Sequence, residues 1–126
     1  MVIGVGTDLI EIDRVEASIQ RFGKRFLERV FTPGEIAYCS QKKSSAESFA
    51  ARFAAKEAGA KALGTGISQG VSWKEIEVRR EPGGRPTLHW SGRAAAHAER
   101  LGVVHTALSL THSRTVAMAV VVIEQE

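Results

Sequence analysis

The sequence predicts an α+β fold in which an antiparallel sheet packs against helices. Helical periodicities fill the first half of the chain, strand-like segments fill its end, and a long helix over residues 49–64 lies between them. The chain has 126 residues, of which 44% are hydrophobic and 25% charged. That size and composition suit one domain with a core of its own, so we expect a single domain over residues 1–126.

The first elements are a strand and two short helical segments. Residues 2–9 are mostly apolar and end on Asp8, which is either a metal ligand or a cap for the next segment. Asp13, with Glu16 three positions later, resembles a capping box and predicts the start of an amphipathic helix. Residues 24–31 predict one or two further helical turns.

Two further helices carry start and stop signals. Thr32 precedes a proline and is followed after three residues by Glu35, so a helix is predicted through about Cys39. The central helix can be capped by Ser45 or by the serine before it. Gly64 stands where such a helix ends in the left-handed conformation.

The second half of the chain predicts four strands and one helix. The strands are expected over residues 73–80, 87–90, 104–111 and 116–123, and the helix over residues 92–101 between Ser91 and Gly102. The last strand, VAMAVVVI, is nearly all apolar, which is typical of a strand that is covered on both faces.

Composition excludes several classes of protein. No window approaches the ~18 uninterrupted apolar residues of a membrane helix. The first residues lack a basic segment and contain early acids, so we expect no signal peptide. With Cys39 as the only cysteine, no intramolecular disulfide can form, and we expect a cytoplasmic protein. Cys39 is either a catalytic thiol or a structural residue of its helix.

Basic residues are concentrated early in the chain, which has a net charge of +3. They are Arg14, Arg21, Lys24, Arg25, Arg29, Lys42 and Lys43. This concentration suits an anionic partner, such as a nucleic acid, a phosphorylated ligand or an acidic protein, but it also fits an ordinary solvated face. Aromatic residues are only 6%, which argues against a surface that stacks on bases.

The central helix breaks its own amphipathic pattern. Its apolar stripe consists of Phe49, Phe53, Ala60 and Leu63. Lys56 falls inside that stripe, Glu57 lies near its edge, and Lys61 follows Glu57 by one turn. Glu57 and Lys61 can be a plain ion pair contributing ~0.2–0.5 kcal/mol. Charges on a buried face are also typical of functional sites.

Four residues are candidates for chemistry: Asp8, Glu57, Lys61 and His112. Two carboxylates from distant segments, without a cluster of Cys or His, suit a hard cation such as Mg²⁺. A lysine one turn from such a cation, in a chain with many arginines, indicates a substrate that carries phosphate.

Two segments, IGVGTDLIEIDR (residues 3–14) and RFAAKEAGAKALGTGI (residues 52–67), resemble the 4′-phosphopantetheinyl transferases of the small holo-acyl-carrier-protein synthase type. The family pattern is a G-x-D strand end and, further along, a helix with the pattern W/F-x-x-K-E-[AS]-x-x-K. Both are present. The likeness continues through WKEIEV, GGRPTLHWSG and ALSLTHS, and so covers essentially the whole chain.

The resemblance implies a Mg²⁺-dependent transfer of 4′-phosphopantetheine from coenzyme A to a serine of an apo acyl carrier protein, in support of fatty acid biosynthesis. Asp8 and Glu57 match the metal ligands of the family. Glu57 and Lys61 match its catalytic positions, with either Glu57 or a water on the metal as the general base. The implied coenzyme A-binding residues are Lys61, His112, Arg52 and Gly64.

The resemblance also implies partners. The residues that match the family's carrier-binding surface are Arg14, Arg21, Lys24 and Arg25, and the expected assembly is a homotrimer whose active sites are shared between neighbouring subunits. Two positions depart from the family pattern. Gly59 stands where a bulkier residue is common and could widen that packing site, and Ser113 stands where an acid often follows the histidine.

Two rival functions use some of the same features. A Mg²⁺-dependent nucleotide hydrolase would need the same carboxylates and lysine, but it would need no acceptor protein. A small basic module that binds RNA or an acidic protein would account for the arginines. It would not account for Glu57 and Lys61 on one helix with Asp8 elsewhere.

Overall fold

The computed structural model describes residues 1–126 and has two antiparallel sheets and five α-helices, which confirms the predicted α+β class. The elements are β1 (Val2–Glu11), α1 (Ile12–Phe22), α2 (Lys24–Val30), α3 (Pro33–Ser40), α4 (Ser45–Leu63), β2 (Ile76–Arg80), β3 (Pro86–Trp90), α5 (Gly92–Leu101), β4 (His105–His112) and β5 (Val116–Glu124). None of these helices combines the length and the apolar composition that a membrane crossing requires.

The larger sheet has the strand order β1-β5-β4, and β2 and β3 form a separate hairpin. The inner face of the larger sheet packs on α4. Four alternate residues of β5 are fully buried there: Ala117, Ala119, Val121 and Ile123. The alternate residues on the other face of β5 are only half-buried. Coverage on both faces was therefore a wrong prediction for the single chain.

That second side of the sheet is here called the outer apolar face. It consists of Val5, Leu9, Ala107, Met118, Val120 and Val122. Val5 and Ala107 are the neighbours of Val122 on either side, so the apolar surface runs across all three strands. Leu9 is 62% exposed and Val5 57% exposed, which is unusual for large apolar residues in the strands of a central sheet.

Strand β1 touches α4 through glycines. A side chain at Gly6 would collide with the carbonyl oxygen of Ala58 and would lie 2.7 Å from the backbone nitrogen of Ala62. A side chain at Gly4 would likewise collide with the carbonyl oxygen of Ala62. The strand and the helix therefore approach each other backbone to backbone, and this contact sets the position of the later residues of β1.

Replacing Gly6 by Ala is expected to destabilise the fold by at least ~1–3 kcal/mol, because the groups that would collide are backbone atoms that cannot rotate away. Gly34→Ala is the matched control, since its side chain would meet only an ordinary contact 3.6 Å from Glu77. Urea unfolding of both variants measures the difference. Equal midpoints for the two variants would contradict the close-contact explanation.

The predicted start of α3 is correct, and the predicted start of α1 is wrong. Thr32 caps α3 as predicted: its Oγ1 accepts from the Glu35 N–H at 3.2 Å, and Glu35 Oε1 accepts from the Thr32 N–H at 2.9 Å. The capping box predicted at Asp13 is wrong, because α1 already begins at Ile12 and its N-cap is Glu11. Asp13 lies in the first turn instead, where its charge suits the helix dipole.

Other boundaries shift by a few residues. Helix α4 ends at Gly64 with φ 83°, as predicted, and its N-cap is Ser44, one of the two predicted serines, although the Ser44 side chain makes no capping bond. The strand predicted from Trp73 begins only at Ile76, because Trp73–Glu75 form a single 3₁₀ turn. Ser91 likewise caps α5 without a side-chain bond. The carboxylate of Glu75 accepts from the Arg93 N–H at 3.0 Å instead.

Candidate active site

Asp8, Glu57 and Lys61 come together where β1 crosses α4. The Lys61 ammonium lies 3.1 Å from Asp8 Oδ1 and donates to the Thr7 carbonyl at 3.0 Å. The Asp8 side chain is 17% exposed, whereas that of Lys61 is 54% exposed. Lys61 therefore pairs with Asp8 while most of its charge still faces solvent.

The Glu57 carboxylate is in an environment that disfavours its charge. Burial raises its pKa above the ordinary value, and the nearby Asp8 charge raises it further. Trp73 and Lys61 act in the opposite direction and offset only part of the rise. Two carboxylates that repel each other in a partly buried site would be relieved by a cation between them.

Asp8 and Glu57 line a cavity of about 440 Å³, here called the carboxylate cavity. Its wall also includes Arg14 and the rings of Phe26 and Phe53, which stack with their centroids 6.4 Å apart. No group of three or more His, Cys, Asp or Glu side chains in the chain could hold a metal ion. A pair of carboxylates fits Mg²⁺, which takes one or two carboxylates and completes its shell with water and substrate phosphate.

Lys56, the charge inside the apolar stripe, points away from this cavity into the protein interior. It is fully buried, and its ammonium lies 2.7 Å from Glu35 Oε1. It also donates to the carbonyls of Trp73 at 3.1 Å and Ile76 at 2.9 Å. Burial lowers its pKa, and the charge of Glu35 opposes that shift. Lys56 therefore joins α4 to α3, to the turn before β2 and to the first residue of β2.

Glu35 uses its remaining hydrogen-bonding capacity on the backbone. Its Oε2 accepts from the Val78 N–H at 2.7 Å, and its Oε1 accepts from the Thr32 N–H. Sequence reasoning assigned Glu35 to a helix cap, which it is, but missed its second role as the partner of Lys56. No local pattern could show that pairing, since Lys56 stands 21 positions later in the chain.

A second cavity, of about 420 Å³, lies on the other side of α4 and is here called the basic cavity. Its basic residues are Lys42, Lys43, Arg52, Arg80 and His112. The Arg52 guanidinium stacks over the Tyr38 ring at 4.4 Å, and the Lys42 ammonium lies over the same ring at 4.6 Å. His112 Nδ1 lies 3.7 Å from Glu47 Oε2.

Of the four predicted coenzyme A-binding residues, the basic cavity contains Arg52 and His112 but neither Lys61 nor Gly64. Lys61 lies beside Asp8, and Gly64 ends α4 with nothing within 4 Å of the space that a side chain would occupy. Sequence reasoning did not assign Arg80 to this site. The arginine pair that ends β2 was the available signal.

The two cavities flank opposite edges of the larger sheet. Asp8 stands on edge strand β1 and His112 on edge strand β4, with β5 between them. Two strand spacings amount to ~10 Å, and α4 packs across the sheet between the two edges. In a single chain, the carboxylates and the basic cavity therefore lie at two separate places.

The predicted carrier-binding residues lie on α1 and α2. Arg14 lines the carboxylate cavity, while Arg21 stacks over the exposed Phe22 ring at 5.2 Å. Arg25 borders a neighbouring groove of about 540 Å³ together with Phe22. Lys24 is exposed at the start of α2. All four basic residues thus face solvent. Arg14 lies at the carboxylate cavity, and the other three lie further along α1 and α2.

Two open questions from the sequence have structural answers. Cys39 is fully buried, and burial raises the pKa of its thiol to about 11, so it is a structural residue rather than a nucleophile. Gly59 does not widen its packing site. A side chain there would meet Ile76 at 3.0 Å and both Leu88 and Trp90 at 3.4 Å.

The sequence matches the family model described as the 4′-phosphopantetheinyl transferase superfamily over residues 4–121. It is 52% identical over 124 residues to the holo-[acyl-carrier-protein] synthase of Koribacter versatilis (strain Ellin345), covering 98% of this chain and 99% of that protein. The fold is similar to the crystal structure of holo-[acyl-carrier-protein] synthase from Neisseria meningitidis, with a TM-score of 0.90, 34% identity and coverage of 99% of this chain and 100% of that one.

A further structural relative is the Helicobacter pylori holo-[acyl-carrier-protein] synthase, solved in complex with coenzyme A. Its TM-score is 0.84 at 33% identity, and the alignment covers 95% of this chain and 99% of that one. Sequence and fold comparisons agree over nearly the whole length, which confirms the resemblance seen in the two motif segments. The chain belongs to the 4′-phosphopantetheinyl transferase superfamily, among the holo-[acyl-carrier-protein] synthases, and is an enzyme of the phosphopantetheinyl transferase class.

Proposed function

We propose that this enzyme transfers 4′-phosphopantetheine from coenzyme A to a serine of an apo acyl carrier protein, with Mg²⁺ as its cofactor. The observation that carries the proposal is the pairing of the Asp8 and Glu57 carboxylates in one cavity with the Lys61 ammonium beside them. The coenzyme A complex of the Helicobacter pylori relative supports the choice of donor.

Asp8 and Glu57 would hold the Mg²⁺ ion, since both line the carboxylate cavity and the charge of Asp8 acts on Glu57. When bound, the ion would neutralise charge on the pyrophosphate of coenzyme A. Lys61 is held by Thr7 and Asp8 at the rim of this site, where its solvent-facing ammonium can meet a phosphate oxygen. It would stabilise the negative charge that accumulates on the leaving nucleotide.

In the proposed step, the serine oxygen of the carrier forms a bond to the pantetheine-bearing phosphorus, and the serine proton passes to a general base, either Glu57 or a water. The bond from that phosphorus to the bridging oxygen of the pyrophosphate breaks, and adenosine 3′,5′-bisphosphate leaves with the electron pair. The nucleophile comes from the partner protein, so this chain needs no serine triad of its own. Its task is to orient the reactants and to neutralise charge, which is the main source of rate in phosphoryl transfer.

We assign the nucleotide end of coenzyme A to the basic cavity. The basic residues there would face the phosphate on the ribose of coenzyme A, and Arg52 is held in place by Tyr38 and by the Ser48 carbonyl, to which it donates at 3.3 Å. Guanidinium groups suit phosphate because they offer several donors in a fixed plane. The predicted role of Gly64 in binding has no such support from its surroundings.

We further propose a homotrimer whose active sites are shared between subunits. Two features support it: the carboxylates and the basic cavity lie on opposite edges of one sheet, and the outer apolar face is exposed in the single chain. If the β1 edge of one subunit lies against the β4 edge of the next, the carboxylates of the first meet the basic cavity of the second. Association would bury the outer apolar face at the same time.

Replacing Val122 by Lys is expected to dissociate the trimer, because it places a charge at the middle of the outer apolar face, between Val5 and Ala107. Light scattering after size-exclusion chromatography measures the mass, and transfer activity should fall with it because each site needs two subunits. Leu101→Lys on α5, also at an exposed apolar residue, should leave both unchanged. A monomeric wild-type protein with full activity would contradict the shared site.

The test of the proposed function is intact-mass spectrometry of the apo acyl carrier protein of fatty acid synthesis after incubation with this enzyme, coenzyme A and Mg²⁺. We expect the mass of the carrier to rise by one phosphopantetheinyl group, and we expect no rise when EDTA is present. Parallel reactions with Mg²⁺ and with Mn²⁺ compare the two ions. Consumption of coenzyme A without modification of any carrier would favour a nucleotide hydrolase.

Activity on this carrier would also support the proposed place in fatty acid biosynthesis. The cytoplasmic location stays a prediction.

Reversing the charges of Arg14 and Arg21 to Glu is expected to slow carrier association about tenfold or more at low salt, because acyl carrier proteins are acidic and steering raises encounter rates by such factors. Stopped-flow association across a salt series measures this, and the salt dependence should shrink in the variant. Arg100→Glu, at the end of α5, is the matched control. Unchanged rates in the double variant would exclude this surface as the docking site.

A further inference from the structure

We propose that Tyr38 is a positioning residue, whose ring holds the Arg52 and Lys42 cations in place for the phosphate on the ribose of coenzyme A. The inference rests on the proposed placing of the nucleotide in the basic cavity and adds a residue that sets specificity there. Tyr38 lies in the last turn of α3 and lines the basic cavity without carrying a cation itself. Its ring is the feature that both cations contact.

The first observation is a buried cation without a counter-charge. Arg52 is only 5% exposed, yet none of the ion pairs of the chain includes it. A guanidinium has five N–H donors, and the one hydrogen bond that Arg52 makes within the chain is the bond to the Ser48 carbonyl. Buried charges are normally paired, so Arg52 needs an anion that enters the cavity from outside.

The second observation is that two cations lie over one ring. The Arg52 guanidinium is 4.4 Å and the Lys42 ammonium 4.6 Å from the centroid of the Tyr38 ring. The negative face of the ring attracts both cations and offsets the repulsion between them. Lys42 is exposed in the segment between α3 and α4 and makes no ion pair, so the ring is the contact that keeps its ammonium at the cavity.

The third observation is that the Tyr38 ring is itself held by two helices. Glu35 precedes Tyr38 by one turn of α3 and pairs with Lys56. Lys56 in turn follows Arg52 by one turn of α4. The two helices are therefore joined twice, one turn apart, by the buried ion pair and by the contact between ring and guanidinium. This double connection fixes the place at which the cations are presented.

A pair of cations held in this way can distinguish the phosphates of coenzyme A. The phosphate on the ribose is a monoester with a charge of about −1.5 to −2 and three terminal oxygens, whereas each phosphorus of the pyrophosphate bears a single charge. Side chains that are already ordered lose less conformational entropy when the ligand binds. We therefore expect Tyr38 to contribute to a preference for coenzyme A over dephospho-coenzyme A, which lacks the ribose phosphate.

The test compares the binding of adenosine 3′,5′-bisphosphate and adenosine 5′-monophosphate, measured by calorimetry without a carrier protein. We expect the wild-type protein to prefer the bisphosphate, and we expect this preference to fall about tenfold in Tyr38→Leu, because the two cations are no longer held. Tyr38→Phe is the matched control, since it keeps the ring and should keep the preference. A general loss of structure would weaken both nucleotides alike and leave their ratio unchanged.

The outcomes separate this inference from the function it rests on. An unchanged preference in Tyr38→Leu overturns the role of Tyr38 and leaves the basic cavity as the nucleotide site. A wild-type protein that binds neither nucleotide, or both equally, overturns the placing of the ribose phosphate and the role of Tyr38 with it. Failure of the proposed transfer is a separate result, because it appears as the absence of carrier modification.

A second measurement decides if Tyr38→Leu does not fold. Tyr38 is the only tyrosine of the chain, so ¹⁹F NMR of the wild-type protein labelled with fluorotyrosine reports on this ring alone. A larger shift of the signal with the bisphosphate than with the monophosphate supports the role of Tyr38. Equal shifts with the two nucleotides overturn it.

Discussion

Replacing Glu57 by Gln is expected to lower phosphopantetheinyl transfer by at least about 100-fold while making the folded protein more stable. The loss of activity follows from removing one of the two proposed cation ligands, since even changes to the partners of such ligands cost 10–100-fold. The gain in stability follows from removing a charge that burial and Asp8 both disfavour. Carrier modification measured by mass spectrometry and thermal unfolding in the absence of metal provide the two readouts.

The same substitution changes how stability depends on pH. Because the pKa of Glu57 is raised in the folded state, the folded protein binds more protons than the unfolded one just above the ordinary value of 4.5. Wild-type stability should therefore fall as the pH rises from that value through the raised pKa. Glu57→Gln should lack this fall, so its stability advantage is full above the raised pKa and absent in acid.

Glu99→Gln on α5 is the matched control, because Glu99 is exposed and lines neither the carboxylate cavity nor the basic cavity. Its transfer rate should remain within a few-fold of wild type. An active Glu57→Gln protein would remove Glu57 from the proposed site. An inactive variant that is less stable than wild type would show that the carboxylate is structural.

Replacing Lys56 by Met is expected to cost ~3–5 kcal/mol of folding free energy, a large part of the ~5–15 kcal/mol typical of a domain. The substitution leaves the fully buried Glu35 carboxylate without its charged partner and also leaves the Trp73 and Ile76 carbonyls without their donor. Urea unfolding monitored by circular dichroism measures the loss.

Two variants make this prediction specific. Lys61→Met, on the same helix, should cost less than ~1 kcal/mol, because its pair with Asp8 is half-exposed. The double variant Lys56→Met with Glu35→Gln should recover part of the stability, since no buried charge is then unpaired. A Lys56→Met protein as stable as Lys61→Met would show that the buried pair adds nothing to the fold.

The sequence predicted those features of the fold that depend on neighbouring residues. The Thr32–Glu35 capping box is such a feature, because both bonds close within one helical turn. The start of α1 was predicted wrongly because it is set by a distant contact: the Ile12 N–H donates to the Thr115 carbonyl at 2.9 Å as β1 runs directly into the helix. Residue patterns cannot report a bond between segments so far apart.

In the candidate site, too, the features carried by local patterns were predicted and the contacts between distant segments were not. Asp8, Glu57 and Lys61 were predicted together because a strand end and a helix turn carry them in recognisable patterns. The partner of Lys56 comes from another element, and only the folded structure brings Glu35 and Lys56 into contact. The outer face of β5 was predicted as covered because an apolar strand does not reveal whether its cover comes from the same chain or from another.

If Asp8 and Glu57 hold the cation as proposed, the glycine contact between β1 and α4 would affect which cation the enzyme accepts. No side chain lies between Gly6 and the Ala58 carbonyl, so the spacing of the strand and helix that carry Asp8 and Glu57 cannot be adjusted by a change of rotamer. Metal ligands on two backbone segments at a fixed distance would favour ions of one radius over others. Ca²⁺ prefers longer bonds and more ligands than Mg²⁺, so a site that cannot widen penalises it. In this enzyme, ion selectivity would thus be a property of the backbone more than of the carboxylates themselves.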